Sequence, residues 1–70
     1  MRYLIVVEKT ETGYSAYSPD IEGCVATGSA MKEVGQAMLK AIEFHIEGLR
    51  MEGYDMPSPR STSKYVEVSG

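Results

Sequence analysis

The sequence predicts an α+β domain: an antiparallel-rich sheet of three to four strands with one long helix packed on one face, in the order β-β-β-α-β. Three observations carry this. Short runs rich in β-branched and aromatic residues, at 3–7, 14–18 and 24–27, are separated by turn-forming clusters. Residues 30–52 then repeat their apolar positions at helical period. A last alternating run, Tyr65-Val-Glu-Val68, lies near the C-terminus.

Tyr3-Leu-Ile-Val-Val7 is apolar on both alternating faces, which predicts a strand covered on both sides and placed inside the sheet. Thr10-Glu-Thr-Gly13 is a turn cluster in which Gly13 is free to take positive φ, so the chain should fold back as a hairpin onto residues 14–18. Pro19 ends that strand because it has no N–H to donate. A tight acidic loop carrying Asp20, Glu22 and Gly23 leads into the third run.

Turning about 100° per residue, Met31, Val34, Met38, Ala41, Ile42, His45 and Leu49 fall on one side of the helix, and Lys32, Gln36, Lys40, Glu43, Glu47 and Arg50 on the other. Leu39 and Phe44 widen the apolar arc beyond what one small sheet needs, which implies a second burial partner. Gly35 and Gly48 lie toward the arc's edges, at about 1 kcal/mol each relative to alanine, and either have a packing reason, such as close approach by a strand or a second subunit, or reflect tertiary override of helix propensity. Gly53 is placed as the C-terminal cap, and Met56-Pro-Ser-Pro59 prevents the helix from resuming. The final run must return across or beside the first three, and if it adds next to residues 3–7 the first strand becomes internal, in agreement with its two apolar faces.

A chain of 70 residues makes one domain, and so small a domain buries only about 60% of its unfolded surface, which favours oligomerisation as a dimer or tetramer. No staple is available: the single Cys24 cannot close an intramolecular disulfide, and with one histidine it makes no zinc site. Ten acidic against seven basic residues give a net charge of -3, which disfavours direct nucleic-acid binding and suits a basic partner. The opening apolar run is too short for a signal peptide or a membrane span, so a cytoplasmic protein with no membrane contact is expected.

Asp20 and Glu22 are paired carboxylates of the kind used in acid-base or metal chemistry, yet no further ligands stand at a recognisable spacing. They read as a turn-forming Asp, accepting backbone N–H bonds, beside a solvated Glu. Cys24 sits among acids, which do not activate a thiol, and reads as a small inward strand residue. His45 has no nucleophile or acid tied to it by spacing and reads as a core histidine with one ring nitrogen bonded to backbone or tyrosine. Neither a catalytic residue nor a metal or cofactor is expected. Met51, Tyr54 and Met56, near the helix end, are exposed-contact candidates, and with Asp20 and Glu22 they form the partner-binding set. Gly35, Leu39, Phe44 and Gly48 are the oligomer-packing set.

Read as a whole, Tyr14-Ser-Ala-Tyr-Ser-Pro-Asp-Ile-Glu-Gly-Cys-Val-Ala-Thr-Gly28, the helical Ala41-Ile-Glu-Phe-His-Ile-Glu-Gly-Leu49 and the Gly53, Pro57, Pro59 exit resemble the N-terminal domain of HicB-like antitoxins, as found in small stand-alone UPF0150-type proteins. The resemblance implies a shortened ribonuclease H-like fold that has lost its active site and oligomerises. It also implies a binding function, in which the domain occludes a small basic HicA-type toxin that cleaves mRNA. The alternatives are a residual metal-dependent nuclease built on acids such as Asp20 and Glu22, or an orphan oligomeric domain without a toxin. Ala30 stands where many relatives carry a capping threonine or serine, leaving Ser29 as the nearest capping side chain. Residues 1–70 are expected to form a single such domain, with no C-terminal DNA-binding domain.

Overall fold

A computed structural model describes all residues 1–70. It contains strands β1 (Val6–Lys9), β2 (Tyr14–Tyr17) and β3 (Val25–Gly28), followed by helix α1 (Met31–Met51). The strands form an antiparallel meander in the order β1-β2-β3, so the fold is α+β with the helix on one face.

The first hairpin turns where the sequence requires it, through a Thr10 N–H bond to the Gly13 carbonyl (2.8 Å) and a Gly13 N–H bond to Thr10 Oγ1 (3.1 Å). The reason for glycine at position 13 differs from the expected one. Its φ is not positive; instead a Cβ there would collide with the carbonyl of Gly28 and lie 3.0 Å from Ser29 Cα. Positive φ is found at Gly23 (83°), in the β2–β3 loop, and at Gly53 (77°).

β1 begins three residues later than the apolar run suggested. Its length is set by its partner: Lys9 pairs with Tyr14 and Val6 with Tyr17, and Pro19 closes β2 to further pairing. Beyond that point the Ser18 hydroxyl donates to the Leu4 carbonyl (3.1 Å) in place of a ladder bond.

The register places Val7, Ala16 and Ala26 on one face and Val6, Tyr17 and Val25 on the other. α1 lies over the first of these faces, across β2 and β3. Between them is a small core of Ala16, Ile21, Cys24, Val34, Met38 and Ile42, with Tyr3, Ile5, Val7, Tyr14, Ala26 and Ile46 partly buried around it. Ile21 is a loop residue, yet it is fully buried, because the loop closes through Ser18 and Cys24 and turns it inward. The opposite face is uncovered, with Val25 68% exposed.

Two expectations about the sheet fail together. Residues 65–68 form no strand, and β1 is consequently an edge strand rather than an internal one, with β2 in the centre. The alternating pattern is present in the tail, but a strand exists only where a neighbouring ladder takes up its backbone groups.

α1 ends as predicted. Gly53 N–H bonds to the Arg50 carbonyl (3.1 Å) and Tyr54 N–H to the Leu49 carbonyl (2.9 Å), the paired bonds of a Schellman cap around a left-handed glycine. Its start is weaker. Ala30 is the N-cap residue and supplies no side-chain bond, while Glu33 reaches back one residue further, accepting from the Ser29 N–H (3.2 Å) and hydroxyl (2.9 Å). Met31, assigned to the core by helical phase, is 57% exposed because it opens the helix beyond the buried rows.

Candidate interaction surface

Asp20 is the most heavily bonded side chain in the molecule. Its carboxylate accepts the N–H groups of Arg60 (3.0 Å) and Ser61 (2.9 Å) and the Ser61 hydroxyl (2.8 Å). The expected acceptor role is therefore filled, but by donors some forty residues downstream rather than by its own turn. The Ser61 backbone N–H, the Ser61 hydroxyl and then Arg60 hold this carboxyl below the ordinary carboxylate range. Nearby, the Tyr3 hydroxyl donates to the Pro57 carbonyl at 2.6 Å. These two anchors pin the chain that leaves α1 across the start of the molecule.

Glu22, two residues on, is exposed and does not join this network. No group of three or more His, Cys, Asp or Glu side chains comes together. Cys24 is buried, its thiol pushed up by desolvation, and its Sγ donates to the Ala41 carbonyl of α1 at 3.8 Å. A protonated, buried thiol of this kind is a packing group rather than a nucleophile. His45 is only half-buried and makes no hydrogen bond to backbone or tyrosine, which corrects its reading as a core histidine. The helix rotates it to the flank of the row Val34, Met38, Ile42.

The principal concavity is an open apolar groove of about 830 Å³ between residues 1–5 and α1. Tyr3, Ile5, Leu39, Ile46, Met51 and Met56 line it, and Glu43, Glu47 and Arg50 stand at its rim. It exists because α1 lies over β2 and β3 and leaves the β1 side of the inner face without a roof. Arg50 holds one end, with Nη2 3.7 Å from Met56 Sδ.

This groove brings together residues from both sequence-derived sets. Met51 and Met56 of the partner-binding set line it with Gly35 and Leu39 of the oligomer-packing set. Tyr54, 65% exposed just past the helix cap, does not line it. Phe44, 81% exposed, and Gly48 lie on the other flank, since five residues turn a helix by about 140° from Leu39. No strand approaches either helical glycine: a Cβ at Gly35 or Gly48 meets nothing within 4 Å. Tyr3, Ser61 and Ile21 were not singled out from sequence. A tyrosine at the head of an otherwise aliphatic run was the one available signal for Tyr3.

Residues 3–69 match the model of a family described as the HicB-like antitoxin of a bacterial toxin-antitoxin system. Among curated relatives, an uncharacterised 14.9 kDa protein of Haemophilus phage HP1 is 33% identical over 66 residues, covering 94% of this chain and 50% of its own length. A UPF0150 protein of Synechocystis is 36% identical over 56 residues, covering 79% of this chain and 71% of the relative. The chain thus spans about half the length of the phage relative. Among solved structures, a chain of a HicA3 and HicB3 toxin-antitoxin complex superposes with a TM-score of 0.71 at 37% identity, covering 86% of this chain and 70% of that one. No helix is long and apolar enough to cross a membrane.

Proposed function

Because the chain belongs to the HicB-like antitoxin family, we propose that it is a non-enzymatic antitoxin, which neutralises a small basic mRNA-cleaving toxin of the HicA type by binding over its active site. The observation that carries this reading is the likeness, in sequence and fold together, to a chain found in a toxin-antitoxin complex. The net charge of -3 favours encounter with a basic protein and disfavours competition by RNA for the same surface. Its place of action is the cytoplasm, where such a toxin meets mRNA.

The contact surface in this reading is the groove end at Met51 and Met56 with Glu43 and Glu47, together with the exposed Tyr54 and Glu22 outside the groove. Methionines adapt to an irregular partner surface, and the two glutamates offer partners to lysine or arginine at the edge. Asp20 serves this surface indirectly, by holding the segment that carries Met56 and Pro57 in place.

Co-expression with a HicA-type toxin tests the reading. A complex on size-exclusion chromatography and stoichiometric loss of RNA cleavage are expected. Undiminished cleavage at excess antitoxin, with no complex, would defeat it. The double variant Met51→Glu, Met56→Glu should weaken the complex by more than about tenfold, a loss of over about 1.4 kcal/mol, while leaving far-UV circular dichroism unchanged.

A further inference from the structure

The chain carries two unsatisfied halves of one interaction. β1 is paired on one side only, by β2, and its other edge presents free N–H and C=O groups. Residues 65–68 have the alternation of a strand and no sheet: Tyr65 is 97%, Val66 76% and Val68 84% exposed. The tail approaches its own β1 without joining it. Anchored at Pro57 and Ser61, it runs with residues 61–63 beside residues 2–5 and then leaves the body. The molecule measures 50 Å along its longest axis, whereas the 21 residues of α1 account for about 32 Å.

The surface area says how much is left uncovered. The chain exposes 5884 Å², against about 4300 Å² for a compact monomer of its 7.7 kDa. The excess, about 1500 Å², is close to the whole area of a standard interface and nearly twice one partner's share.

We infer that residues 65–68 of one copy add as a strand to the free β1 edge of a second copy, with the exchange returned in kind. The product is a two-fold symmetric dimer in which each sheet has four strands and β1 is internal. Glu8 and Lys9 on the receiving edge, and Lys64 and Glu67 on the incoming segment, make each side neutral, so no charge repulsion opposes the pairing. The alternation also suits a strand with two unlike faces: Val66 and Val68 share one, Tyr65 and Glu67 the other. This inference stands apart from the toxin reading, since it needs only a second copy of the same chain.

The experiment combines light scattering of the full chain with amide hydrogen exchange. The expected mass is twice 7.7 kDa. The double variant Val66→Pro, Glu67→Pro removes a ladder N–H whichever edge the strand presents, and should raise the dimer dissociation constant at least tenfold with helical circular dichroism unchanged. In the wild-type chain, amides of residues 65–68 and of β1 should be protected at high concentration and lose protection together on dilution. A monomeric wild-type chain, a dimer indifferent to the two prolines, or tail protection independent of concentration would each overturn the proposal. The last of these outcomes would place the tail on its own β1.

Discussion

Asp20 joins two parts of the chain that no local rule connects. Pro19-Asp20 marks a turn in the sequence, but nothing there says that the donors lie at Arg60 and Ser61, because a polar connection of serines and threonines offers many equivalent N–H groups. The carboxyl is held low in the folded chain, so between its folded and ordinary values the unfolded chain binds the proton first. The anchor's contribution is therefore complete above the ordinary carboxylate value and is lost as pH falls through the folded one. Nuclear magnetic resonance should show the Arg60 and Ser61 amide shifts titrating together, with a midpoint below the ordinary carboxylate range. Asp20→Ala should produce the released shifts already at neutral pH. Arg60 and Ser61 amides unmoved by that substitution would show that the tail is held by something else. Gly13 teaches a related lesson, for its glycine is recognisable in sequence while its cause, the close passage of the Gly28 carbonyl, is not.

At the level of elements, what depends on neighbours in sequence was legible and what depends on neighbours in space was not. The hairpin turn, the span of α1 and the Gly53 cap follow from local chemistry, and each lies within a residue or two of its expected place. The start of β1 and the fate of residues 65–68 depend on how far a partner strand reaches, which apolar pattern alone does not encode. Within α1 the weak points are equally local. Ala30 leaves the first-turn N–H groups without a side-chain acceptor, so Ala30→Thr should stabilise the fold by about 1 kcal/mol, read as a higher urea midpoint at unchanged slope. Gly48 has open space around it, so Gly48→Ala should add about 0.5–1 kcal/mol for the isolated chain. A loss of stability or of assembly in Gly48→Ala would instead reveal a partner pressed against that flank, as the oligomer-packing reading of Gly48 and Phe44 requires. No change from Ala30→Thr would mean that Ser29 and Glu33 already organise the helix start.

For the whole molecule, the ratio of core to surface sets what the chain needs. Only 7 of its 70 residues are buried, six of them apolar, and no disulfide or metal cluster supplements them. Its radius of gyration is 13.9 Å, against about 11 Å for a compact domain of this length, because residues 62–70, beyond the Ser61 anchor, extend the chain while remaining exposed throughout. A chain in this condition gains stability from whatever binds only its folded form, and a second copy at high concentration is such a ligand. For a folded dimer that melts to unfolded monomers, each tenfold rise in protein concentration adds about 1.4 kcal/mol per dimer, or about 0.7 kcal/mol per chain. At about 4–8 °C per kcal/mol for a domain of this size, the melting temperature should climb by about 3–6 °C per decade of concentration. Differential scanning calorimetry across two decades resolves a slope of that size. A flat melting temperature would mean that the small core suffices alone, and would remove the thermodynamic reason for the tail to seek a partner. A slope that disappears in the Val66→Pro, Glu67→Pro variant would tie the missing stability to residues 65–68 rather than to the helix groove.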